Sequence, residues 1–357
     1  MRKESLKFLE QLLDAPSPSG YEQPAQRVFR DYVAPFCDEL TTDVMGNVFA
    51  RIGGKGKNLP RVMIVGHTDE IGLQIKYIDD KGFLYFAAVG GVDAHLTPGK
   101  RVNVHTADGA LPGVIGKKPI HLMDNKDRET VVKLESQYID IGAGDKKEAQ
   151  KLVRVGDAVT FESSFTRLHG DRVASRGFDD KAGCFVVAEV LRLVAASGKK
   201  LAVDLYGVSS VQEEIGLRGG TTSCYTVNPD VGICVEVDFA TDQPDVEKKH
   251  NGEVALGKGP ILARGANINP HLFELLSKTA EKEKIAIQNT ATPRATGTDA
   301  NVMQISRGGV ATALVKIPLR YMHTPVETVS LADLEDAAKL IVATLGKITS
   351  REEFIPR

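Results

Sequence analysis

The sequence predicts an α/β protein: a central mixed sheet flanked by helices, interrupted by an inserted small β-barrel-like domain. Three observations predict it. Apolar runs alternate with helical periodicities near both ends of the chain. Between about residues 73 and 165, long helical periodicity gives way to short β patterns and turn signals. The buried runs of the outer segments each end in Asp, Glu or His. At 357 residues the chain suits two domains, each able to bury a core, and we place them at 1–70 plus 166–357 and at 71–165.

Taken in order, Leu6, Leu9, Leu12 and Leu13 recur at helical spacing, and the helix stops at Pro16 and Pro18. This start lacks the continuous apolar region of a secretory leader. A second amphipathic stretch spans about 22–33. VMIVGHTDEIG (62–72) is a buried strand running into a polar cluster. In the middle segment, Asp108-Gly109 signals a hairpin, GDAVTFES (156–163) is a strand candidate, and DKKEAQKL is a brief helix. Beyond it, 181–198 is a strong helix with Gly198 at its end. Strands follow at 201–210, 231–237 and 309–317, with helices at 270–284, where Pro270 suits a first position, and 331–348.

Composition removes several classes of function. Lys plus Arg is 45 and Asp plus Glu is 47, so no general charge draws the chain to nucleic acid or an anionic membrane. No apolar run reaches the roughly 18 residues of a membrane span. Cys37, Cys184, Cys224 and Cys234 form no CxxC pair and read as reduced thiols of a cytoplasmic protein. There is no GxGxxG after a strand, no GxxxxGK[ST], no GxSxG and no HExxH.

What remains is acid and histidine. His67 and Asp69 share one strand face, although HxD alone reads as a hydrogen-bonded histidine beside a solvated acid. Asp179 and Asp180 precede a helix, where one acid suffices as a cap and the other is left for different work. Glu213 and Glu214 follow a buried strand, Asp238 ends another, and His323 follows a third. Singly, each is ordinary. If the strands share one sheet, the groups meet at one edge, where α/β folds place ligands. That many buried charges demand compensation, and two His with mixed carboxylates and no Cys suit Zn, Co or Mn rather than Ca.

The motifs GHTDEIG (66–72), FDDKAG (178–183), VQEEIGLRGG (211–220), VEVDFATD (235–242), TGTDAN (296–301) and IPLRYMHTPVE (317–327) resemble those of the M42 metallo-aminopeptidases, of the dinuclear peptidase clan. The likeness extends into the insert at KKPIHL (117–122) and VRVGDAV (153–159). It implies that His67, Asp179 and Asp238 hold one metal, and that Asp179, Glu214 and His323 hold the other, with Asp179 bridging. It implies Glu213 as general base and acid, acting on a water shared by two divalent ions, Zn before Co or Mn. Asp69 would orient His67. The expected substrates are short peptides with a free N-terminus. The insert would be a dimerisation domain, and assembly would proceed to dodecamers.

Two other readings compete. A two-carboxylate glycoside hydrolase needs no metal and leaves His67 and His323 unexplained. A non-catalytic self-assembling shell would tolerate loss of Glu213, and closed structural zinc sites are mostly rich in Cys.

Overall fold

The structure is a computed structural model and describes residues 1–162 and 164–357. Its strands are β1 Glu39–Thr42, β2 Val48–Ile52, β3 Arg61–His67, β4 Gly72–Ile78, β5 Leu84–Val89, β6 Arg101–Thr106, β7 Gly109–Gly116, β8 Tyr138–Asp140, β9 Ala158–Phe161, β10 Thr166–Arg167, β11 Arg172–Ser175, β12 Asp204–Ser210, β13 Val231–Phe239, β14 Ile261–Gly265, β15 Gln288–Thr292, β16 Ala311–Leu319 and β17 Glu327–Ser330. Ser163, the last residue of the strand expected at 156–163, lies outside the described residues.

The main sheet has eight strands in the order β1-β2-β12-β3-β13-β16-β14-β15. Its centre is parallel: β12 and β13 flank β3, and β16 flanks β13. Antiparallel β2 and β14 adjoin this block, which makes the sheet mixed. Val62, Met63, Ile64 and Val65 are all fully buried, as a central strand covered on both faces requires. Because the four parallel strands point the same way, their C-terminal ends share one edge. His67, the loop after Ser210, the end of β13 and the loop after Leu319 therefore assemble there.

The helix Phe178–Ala196 packs on β3 and β13, and the helices Lys3–Asp14 and Leu331–Leu345 cover it. It is apolar on nearly every side, and fully buried Phe185 alone contributes roughly 2 kcal/mol by leaving water. Close approach to the sheet requires glycine: a Cβ on Gly66 would stand 2.5 Å from the Gly183 carbonyl carbon. The backbone is not helical at Asp179 (φ −80, ψ 106) or Asp180 (φ −119, ψ 41), so both carboxylates leave the helix axis before the regular turns begin. Gly198, with φ +64, stands beyond the helix end.

Strands β4 to β9 close a barrel in the order β4-β5-β8-β7-β6-β9, with its own apolar core that includes Leu73, Ile75, Leu84 and Ile139. A hairpin does join β6 to β7 here, but its two turn residues are Ala107 and Asp108: Thr106 pairs with Gly109, which opens β7 at φ +120. The brief helix is Lys146–Leu152, capped by Asp145, which accepts the N–H of Glu148 at 2.8 Å. One feature lacks a sequence signal. β10, β11 and β17 form a separate three-stranded sheet, and β17 carries Glu327.

Candidate metal centre

The edge of the parallel strands holds two imidazoles facing one carboxylate. His67 Nε2 is 3.2 Å from Asp179 Oδ1, and His323 Nε2 is 3.2 Å from Asp179 Oδ2. Each oxygen of Asp179 thus serves one histidine. Glu236 Oε1 lies 3.6 Å from His67 Nε2, and Glu214 Oε1 lies 3.4 Å from His323 Nε2. The donors fall into two sets that meet at Asp179: His67, Asp179 and Glu236, and Asp179, Glu214 and His323. Glu213 Oε2 stands 3.7 Å from His67 Nε2 and belongs to neither set.

The other ring nitrogens are tied down. His67 Nδ1 is 3.0 Å from the Asp69 carbonyl and 3.4 Å from Asp69 Oδ1. His323 Nδ1 donates to the Gly91 carbonyl at 2.9 Å. A carbonyl oxygen only accepts, so Nδ1 keeps its proton, and Nε2 is the nitrogen that can give up its proton and offer a lone pair to a metal. Gly91 belongs to the inserted segment, and a Cβ there would lie 2.8 Å from His323 Nδ1. The insert therefore helps to set a ring whose own residue comes from the main sheet.

Buried acids hold the frame. Glu327 accepts the backbone N–H of Asp179 at 3.0 Å and that of His323 at 2.8 Å, one on each oxygen. Burial, with the Asp179 charge added, pushes its carboxyl well above the usual range. Asp180 accepts the N–H of His67 at 3.2 Å and that of Gly183 at 3.0 Å, so it is the acid that satisfies a helix start while Asp179 faces the histidines. Asp299, from TGTDAN, accepts the Ser210 hydroxyl at 2.6 Å.

The electrostatics call for a cation. Burial, with Glu236, Asp299 and Glu214 nearby, pushes Glu213 up to about 9. Burial and Asp179 push Glu236 up to about 7. Asp179 and Glu214 push His323 up to about 11. The cluster thus favours extra positive charge held among its oxygens, as protons or as metal. Glu213 Oε1 and Glu214 Oε1 are buried without a hydrogen-bond partner, a costly state for carboxylate oxygens that neither bind nor react. Nitrogen and carboxylate donors without sulfur fit Zn, Co or Mn.

A family model described as M42 glutamyl aminopeptidase matches residues 46–340. The chain belongs to the M42 peptidase family. The lysyl aminopeptidase of Pyrococcus furiosus is 38% identical over 96% of this chain and 96% of its own length. Among solved structures, the TET aminopeptidase of a marine sediment archaeon of the Thaumarchaeota superposes with a TM-score of 0.94 at 32% identity, over 99% of this chain and 100% of that one. The Pyrococcus horikoshii TET1 peptidase, described as assembling into a tetrahedron or a large octahedral shell, gives 0.85 at 32% identity over 96% and 100%. This M42 chain is accordingly a metal-dependent aminopeptidase with the dinuclear aminopeptidase fold. The family match favours neither a metal-free glycosidase nor an inert shell.

Of the expected site residues, the structure brings together His67, Asp69, Asp179, Glu213, Glu214 and His323. It does not bring in Asp238 as a partner of His67, and that expectation is corrected. The β3–β13 register pairs Val65 with Cys234, and two residues further it sets His67 opposite Glu236. Asp238 shares the Glu236 face but sits two residues along, roughly 6.6 Å further at strand rise, and its carboxylate pairs with Lys316 instead. VEVD offers two acids of equal parity, and only the register chooses between them. Glu327 and Gly91 were also missed, since their partners lie on other elements.

Proposed function

We propose that the protein removes N-terminal residues from short peptides, using two divalent ions, Zn before Co or Mn. His67, Asp179 and Glu236 hold one ion, and Asp179, Glu214 and His323 hold the other. The observation that carries this reading is the division of Asp179 between two histidines, at 3.2 Å on each oxygen. Bound ions supply Lewis acidity to the scissile carbonyl and lower the pKa of water.

The chain's own residues do the rest. Glu213, within reach of the cluster but outside both ligand sets, takes a proton from the attacking water and returns it to the leaving amine. Glu327 and Asp69 hold the ligands in place as the charge changes. The cluster opens into a chamber of about 600 Å³, which suits a side chain and a short stretch of peptide rather than a folded domain.

The reading extends to assembly. The segment 71–165 acts as the dimerisation domain, and six dimers close a dodecamer that admits only short chains. Support comes from the shell-forming relative and from apolar side chains exposed on the insert: Ile120 (59%), Leu122 (69%) and Val131 (40%). Cytoplasmic residence fits the four free cysteines, three of them buried. No helix among the described residues is long and apolar enough to cross a membrane.

The test is a panel of aminoacyl chromogenic substrates and short peptides, with metal removed by chelation and then restored as Zn, Co or Mn. Chelation should abolish cleavage, and an N-acetylated peptide should resist it. Full activity in verified metal-free protein, or equal rates on blocked and free peptides, would overturn the proposal. Light scattering showing an active monomer would overturn the assembly.

A further inference from the structure

Beside the metal cluster, the chamber is walled by apolar Leu217, Val237, Phe239, Leu314 and Met322 and by uncharged Thr296 and Thr298. Apart from the cluster's own acids and histidines, the charged residues lining it, among the described residues, are Lys316 and Asp238. They are paired with each other. Lys316 stands opposite Glu236 in the β13–β16 ladder, yet its ammonium reaches forward to Asp238. Their side chains are only 10% and 21% exposed, so water does little to screen them.

We propose that the Lys316–Asp238 ion pair determines which N-terminal side chains the chamber accepts, favouring uncharged residues over both acidic and basic ones. The proposal rests on the aminopeptidase reading. An entering carboxylate meets an ammonium already engaged, with Asp238 beside it. An entering ammonium meets Asp238 already engaged, with Lys316 beside it. Either pays for its own desolvation without a free counter-charge. A leucine-sized side chain brings no charge of its own to desolvate, packs on the apolar part of the wall and leaves the pair intact. Selectivity is a difference between affinities, and here the pair supplies the unfavourable half. Losing one partner uncovers the other charge in a site of low exposure, where a single charge attracts its opposite strongly.

The experiment compares wild-type protein, Lys316→Met, Asp238→Asn and the double variant on leucyl, glutamyl and lysyl p-nitroanilides. Ratios of kcat/KM within each variant do not depend on how much of it is folded. The wild type should favour the leucyl substrate over both others by at least about tenfold. Lys316→Met should raise the lysyl-to-leucyl ratio by about tenfold, and Asp238→Asn should raise the glutamyl-to-leucyl ratio similarly. The double variant should return to the neutral order. A wild type that prefers either charged substrate, or single variants whose ratios stay within twofold, would overturn the proposal. Binding of leucine, glutamate and lysine hydroxamates by calorimetry gives the same order without turnover. A wild type that cleaves none of the substrates therefore defeats the aminopeptidase reading, while the binding order still judges the pair.

Discussion

The carboxylate of Asp69 accepts the backbone N–H of Glu213 at 2.9 Å. Its other oxygen accepts the N–H of Glu214 at 3.1 Å and the Ser19 hydroxyl at 2.7 Å. The same residue lies against His67 Nδ1 through its carbonyl and side chain. Asp69 thus joins the end of β3 to the loop after β12, and so sets a histidine and two glutamates at once. The spacing of His67 and Asp69 pointed only to the first of these.

Replacing Asp69 by Asn should test that joint. An amide has one acceptor oxygen where the carboxylate has two, and its NH2 would face backbone donors. Asp69→Asn should lower kcat by roughly 10- to 100-fold and weaken metal retention, the range seen when a group orienting a ligand is lost. Elemental analysis alongside kcat checks it, and wild-type values of both would show that the bonds to Asp69 are dispensable.

The adjacent glutamates should separate cleanly. Glu213→Gln keeps size but cannot take up a proton as a base, so kcat should drop by about 10²–10⁴ with both metals kept. Glu214→Gln should instead lose one metal, with partial recovery at high metal concentration. If Glu213→Gln loses metal while Glu214→Gln keeps it, the two roles are exchanged.

Glu236 and Asp238 offer a second contrast. Glu236→Gln should cost the site beside His67 its metal, because a neutral amide is a poorer ligand. Asp238→Asn should keep both metals, since its carboxylate faces Lys316. Metal stoichiometry after dialysis decides the matter, and equal loss in the two variants would restore Asp238 to the ligand set.

Glu70 should govern acid stability. Burial raises its carboxyl, but Arg176 and Lys181 outweigh that and hold it down at about 2, against an ordinary 4.5. The folded value lies below the unfolded one, so its stabilisation is complete above about pH 4.5 and is lost as pH falls toward about 2. At neutral pH this amounts to about 3 kcal/mol. Glu70→Gln should lower stability by a similar amount at pH 7 and flatten the decline between pH 4.5 and 2. Denaturant melts across that range measure both, and an unchanged slope would exclude Glu70 as the source.

Much of the protein was legible in the chain because the relevant signals are local. Apolar runs marked β3, β12, β13 and β16, and helical spacing marked Pro270–Glu283 and Leu331–Leu345. Acids and histidines at strand ends marked the edge where ligands gather. Side-chain alternation put Glu236 and Asp238 on the same face and could go no further. The choice between them came from strand register, a property of two segments about 170 residues apart in the chain. Glu327 reaches Asp179 from a small sheet with no periodic signature, and Gly91 reaches His323 from the inserted barrel. The sequence by itself determined which residue types could bind metal and which strands would deliver them, because charge and periodicity are written residue by residue. Only the tertiary structure decided which carboxylate faces which imidazole, because a hydrogen bond or a ligand set depends on distances of a few ångströms between distant segments.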